Sequence, residues 1–190
     1  MIVADVIAEI EAVAPPSTAQ EWDNVGLLIG AADDRCRGVL ICLEVTPDVA
    51  DEAARLGADL IVSHHPLIFS PMRAVRTDRP LGRLLMRLLD DGTAVYAAHT
   101  NLDAAPRVGT AAALAAALGV EMIAPLLEEC EVGLGAVGNV PDSPPVDVLI
   151  GRIRRALAPA RLTVVGETER RVGTLALMPG SGGGAVAEAA

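Results

Sequence analysis

"TPDVADEAARLGADLIVSHHP", residues 46 to 66, holds a helix, a strand and the stop that ends the strand, in that order. Thr46 offers a side-chain oxygen to cap a first turn. Pro47 suits the first helical position, where its missing N–H has no partner to lose, and Gly57 suits the exit. The apolar run that follows, 59 to 63, has strand length, and Pro66 ends it just past His64 and His65.

The alternation continues on both sides. Ile2, Val6, Ile10 and Val13 recur at helical spacing before Pro15 and Pro16, so the chain opens with an amphipathic helix. "VGLLIG" (25 to 30) and "GVLICLEV" (38 to 45) read as strands. A helix near 80 to 91, a strand at 93 to 98 and an alanine-rich helix near 108 to 118 follow. Strands alternating with helices predict an α/β fold with mixed, mostly parallel sheets. From about 131 a second set begins: "EVGLGAVGNV" as strand or loop, a helix at 146 to 158, "RLTVVG" (161 to 166) and "RVGTLALMPG" (171 to 180) as strands, then "SGGGAVAEAA" opening a helix. The order of its last part matches that of residues 2 to 57, a weak internal repeat that stops where the first lobe goes on. Residues 1–125 are therefore expected to form a first lobe and 126–190 an incomplete second one.

Composition narrows the function classes. At 190 residues and 52% apolar content the chain can build a core without disulfides or a structural metal. A net charge of −10 repels a phosphate backbone, and aromatics at 2% leave no stacking platform for a nucleic-acid strand, so no nucleic-acid partner is expected. No apolar run reaches the roughly 18 residues of a membrane helix, and the opening is acidic and amphipathic where a secretory signal is basic, so the expected location is the cytoplasm. Cys36, Cys42 and Cys130 lack CxxC spacing and read as reduced packing residues.

Neighbouring side chains of a regular strand point to opposite faces, so His64 and His65 can face one cavity only once the strand has ended. In a parallel α/β sheet the loops beyond the carboxyl ends of strands form the ligand crevice, where this pair belongs. The next strand leads into "VYAAHTNLD" (95 to 103), which sets His99, Thr100, Asn101 and Asp103 beyond its own end. His64, His65 and Asp103 would give two nitrogens and a carboxylate, a set that suits zinc, iron, manganese or nickel, on one ion or two. Three ligands leave the shell open to water, substrate or further protein groups. His99 would orient a ligand or move a proton, and Glu44 could be an outer carboxylate. The plainer readings are a hydrogen-bonded or solvated "HHP", a capping turn in "HTNLD", a turn with an anchoring aromatic at Trp22-Asp23-Asn24, and a tight turn at "PGSGGG" (179 to 184). No GxSxG or HExxH occurs, so nucleophilic serine chemistry and zincin-type sites lack support.

"EWDNVGLLIG", "GADLIVSHHPLIF" and "VYAAHTNLDAA…LG", in this order, closely resemble the GTP cyclohydrolase 1 type 2 homologue family, also called the Ngg-one-interacting-factor-three-like family. The resemblance implies two intertwined α/β lobes, two divalent metal ions per subunit in the cleft between them, and a ring-shaped homohexamer. His64, His65 and Asp103 fall on family metal ligands, and His99 and Trp22-Asp23-Asn24 on motifs near the site. The remaining family ligands are a His and a Glu one helical turn apart near the C-terminus. No histidine follows His99, so the sequence reads as part of a longer member. Relatives usually carry aspartate where this chain has Glu44. The implied activity is a metal-dependent hydrolase of a small nucleotide-like or phosphorylated substrate, with His99 as a catalytic residue. The alternative is a non-catalytic metal-binding or protein-interaction scaffold.

Overall fold

The computed structural model describes residues 1–127, 133–182, 185 and 189. Cys130, the first two residues of "EVGLGAVGNV" and most of the helix expected in "SGGGAVAEAA" lie outside the described residues. The chain divides into two compact units, Met1–Leu102 and Asp103–Ala190. Among the described residues no helix is long and apolar enough to cross a membrane.

The first unit is a four-stranded sheet in the order β1-β4-β3-β2, from β1 (Gly26–Ile29), β2 (Val39–Cys42), β3 (Leu60–Ser63) and β4 (Ala94–Ala97). β2, β3 and β4 are parallel, while β1 is an antiparallel edge strand. The parallel pairs follow from two right-sized crossovers, α2 (Pro47–Leu56) and α3 (Pro80–Asp90). In α2 the Thr46 hydroxyl accepts from Val49 N at 3.3 Å, and Gly57 leaves the helix at φ 65°, where a Cβ is costly. Ala50, Ala53, Leu84, Leu85 and Leu88 from these helices close over Ile61 and Val95 on one face of the sheet. On the other face α1 (Val3–Val13) packs Val3, Val6, Ile7 and Ile10 against Leu60, Ala94 and Tyr96. With both faces covered, β3 up to its last residue, Ser63, and β4 carry apolar runs with no polar–apolar alternation.

The second unit holds α5 (Thr110–Leu118), β5 (Glu121–Ala124), β6 (Ala136–Asn139), α6 (Val146–Leu157) and β7 (Thr174–Leu177). Its sheet, β5-β6-β7, is antiparallel at both pairings, so the parallel expectation is met in the first unit alone. Only residues 125–135 separate β5 from β6, fewer than the dozen or so a parallel crossover needs. Ala111, Ala115 and Leu118 of α5 and Leu149 of α6 form the core with Ala136 and Leu177. Residues 161–166, expected as a strand, are irregular, and Val165 is 95% exposed. Without that strand the internal repeat has no counterpart among the described residues. β5 went unforeseen because its four residues are all exposed and carry no apolar alternation.

Candidate metal centre

The carboxyl ends of β2, β3 and β4 lie along one edge of the sheet, and the antiparallel β1 starts at that edge, with Gly26 opposite Ala97. Four stretches of chain just outside these strands therefore bring Glu44, the His64-His65 pair, His99 and Asp23 together. The placement follows from strand direction alone.

His64 N and His65 N donate to Cys42 O and Leu43 O at 3.1 and 2.9 Å, so the chain still runs beside β2 as it leaves β3. Regular alternation has ceased, because the two imidazoles are 5.1 Å apart at their centroids. His99 is 5.1 Å from His64 and 5.6 Å from His65. One ring nitrogen of each histidine lies within 4.8 Å of those of the other two.

A hydrogen bond at Nδ1 of each imidazole fixes its tautomer. His64 Nδ1 is 3.0 Å from Ala98 O, His65 Nδ1 is 3.0 Å from Glu44 Oε1, and His99 Nδ1 is 2.9 Å from Asp23 Oδ1. A carbonyl or an ionised carboxylate can only accept, so each neutral imidazole carries its proton on Nδ1 and its lone pair on Nε2. Three neutral imidazoles tied in this way have a tautomer common among metal-ligating histidines. The nitrogen-rich set fits a borderline divalent cation such as zinc, iron or nickel better than calcium, magnesium or manganese.

Asp23 is the most constrained member of this network. Its side chain is fully buried, whereas His99 is 16% exposed. It accepts from His99 Nδ1, from Thr100 N at 3.0 Å, from the Thr100 hydroxyl and from Asn24 N at 2.8 Å. Burial pushes its pKa up, but the bonds from Thr100, His99 and Asn24 outweigh burial and hold the carboxyl below the ordinary aspartate value. The buried Asn101 fixes the same turn from the other side: its amide donates to Ala14 O at 2.7 Å and its Oδ1 accepts from His99 N at 2.9 Å. The His65–Glu44 pair lies in solvent by comparison, with side chains 44% and 63% exposed.

Each residue singled out from the sequence has a definite place. His64 and His65 share the cluster, and His99 stands beside them as a third nitrogen donor. Glu44 bonds His65. Asp103 ends the short helix α4 (Thr100–Asp103), accepts from Thr110 Oγ1 at 2.6 Å and borders a cavity of about 210 Å³ in the second unit. Trp22 anchors no core: it is 59% exposed and meets Phe69 edge-on at 5.9 Å. Asp23 was indicated only through the family resemblance of Trp22-Asp23-Asn24, its bond to His99 was not foreseen, and Phe69 had no signal of its own.

The match to known proteins runs through these same segments. The model of the Duf34/NIF3 (NGG1p interacting factor 3) family matches residues 1–190. The chain is 42% identical over 127 residues to a GTP cyclohydrolase 1 type 2 homolog of Halalkalibacterium halodurans, covering 65% of this chain and 34% of that protein. It is 35% identical over 186 residues to the homolog of Streptomyces coelicolor, covering 94% of this chain and 65% of that one. The chain thus spans about a third of the first relative's length and about two thirds of the second's. Among solved structures, a hypothetical protein of Staphylococcus aureus superposes with a TM-score of 0.87 at 28% identity, over 97% of this chain and 73% of that one. Reduced HcgD of Methanocaldococcus jannaschii gives 0.85 at 28%, over 96% and 71%. A family model spanning every segment that builds the histidine cluster, joined to whole-chain superposition, places this chain in the Duf34/NIF3 family.

Proposed function

We propose that this protein holds a divalent cation on His64, His65 and His99 and hydrolyses a small nucleotide-like or phosphorylated substrate. The observation that carries this reading is the shared state of the three imidazoles, each tied at Nδ1 to an oxygen and grouped within 4.8 Å. The family resemblance adds Asp103 as a carboxylate ligand, a second ion per subunit and assembly as a homohexamer; the acidic, amphipathic start of the sequence favours the cytoplasm. When bound, the cation supplies Lewis acidity and a nucleophilic water at neutral pH. The chain's own residues set the geometry. Ala98 O, Glu44 and Asp23 fix the orientation of the three rings. If only His64 and His65 are coordinated, Nε2 of His99 is left to move a proton, with Asp23 stabilising the imidazolium.

Elemental analysis of the purified protein is expected to find stoichiometric zinc, iron or nickel, lost in a His64→Ala/His65→Ala variant. The relatives' printed name puts GTP first in a hydrolysis screen of metal-loaded protein, followed by other nucleotides and sugar phosphates. Metal without turnover across that screen would sink the hydrolase and leave a binding protein. Absence of metal would sink both.

A further inference from the structure

Two of the chain's three aromatic side chains stand at the rim of the histidine cluster. The sequence has one Trp, one Tyr and one Phe. Tyr96 is fully buried, as a scarce large side chain in a small core should be, yet Trp22 and Phe69 are 59% and 53% exposed. They come from separate segments, one before β1 and one after β3, which Asn24 joins by donating its amide to Ile68 O. Their rings meet edge-on at 5.9 Å and 61°, and each lies 6.3 Å from the His99 ring. An edge-on pair leaves ring face uncovered. Folding gains nothing from keeping that apolar area in water, and an exposed aromatic patch beside polar convergent groups is the usual form of a ligand wall.

We propose that Trp22 and Phe69 form the subsite for a planar aromatic ring of the substrate, which stacks there beside the histidine cluster. The assignment rests on reading the cluster as a site for small molecules, and it names the group those molecules must carry. Two neutral aromatic rings offer a phosphate nothing to bind, whereas any heteroaromatic ring has a π-face to stack on them.

Trp22 is the sole tryptophan, so emission excited selectively at tryptophan reports on this subsite alone. Guanosine and adenosine, titrated into zinc-loaded protein, are expected to quench it saturably, while ribose 5-phosphate leaves it unchanged. Phe69→Ala is expected to weaken nucleoside binding about tenfold, and Phe69→Tyr to restore it, with zinc affinity equal in all three proteins. Equal zinc affinity also shows that the variants are folded. Three results would overturn the proposal: zinc binding with no response to either nucleoside, an equal response to ribose 5-phosphate, or Trp22 emission that shifts with protein concentration, which would make the rings a contact between copies. Saturable nucleoside quenching in protein that fails to bind zinc would support the subsite while removing the metal reading.

Discussion

Two imidazoles of the cluster are backed by carboxylates, and burial separates the two cases. Asp23 is enclosed and bonded on both oxygens, so its attraction for the His99 N–H acts at low dielectric; Glu44 works largely in water. Asp23→Ala is therefore expected to lower zinc affinity about 10- to 100-fold, and Glu44→Ala to fall below that range, both read from zinc titrations. The aspartate variant should also lose stability to urea, since each donor left buried without an acceptor costs about 1–3 kcal/mol. Equal effects from the two substitutions would show that burial does not set the strength of these supports. Nothing in "EWDN" reveals this role locally, because the partner His99 lies 76 positions away. The histidines themselves were legible: they sit where strand-end chemistry concentrates. Their partners depend on which strands meet, which local sequence does not state.

At the level of elements, legibility followed the strength of the end signals. α2 and β3 were located to within a residue, because Thr46, Pro47, Gly57 and Pro66 punctuate them. Residues 161–166 misled for the opposite reason: β-branched residues favour a strand only when a neighbour is there to pair. The connection from β3 to α3 carries His64, His65 and Phe69, and it is seated on α3 through Gly82. A Cβ added at Gly82 would stand 2.1 Å from Arg76 O, a backbone atom that cannot swing aside. Glycine to alanine inside a helix ordinarily stabilises by about 1 kcal/mol. Here overpacking decides the sign, and Gly82→Ala is expected to destabilise by about 1–3 kcal/mol, seen as a lowered Tm. An unchanged or raised Tm would mean that the connection does not rest on α3.

For the molecule as a whole, the crossover helices made the parallel core of the first sheet readable, whereas the β1–β4 and β6–β7 pairings join segments far apart in sequence. Charge is the other property of the whole chain, and its consequence for acid stability runs through one pair. Asp59, just before β3, accepts from Arg37 N at 2.6 Å and from its guanidinium at 3.1 and 2.6 Å. These bonds from Arg37, chiefly the side-chain ones, hold its carboxyl at about 2, below the ordinary aspartate value. A carboxyl whose pKa is lower folded than unfolded adds stability above the unfolded value, near 4, and that contribution fades as pH falls toward 2. With a net charge of −10, mild acidification first relieves self-repulsion, so the loss appears only on the far acid side. Asp59→Asn is therefore expected to be less stable to urea than the parent at pH 6, with the two midpoints converging as pH is lowered through this window. A gap that stayed constant down to the acid end would show that the pair acts by geometry, with no part played by the carboxylate charge.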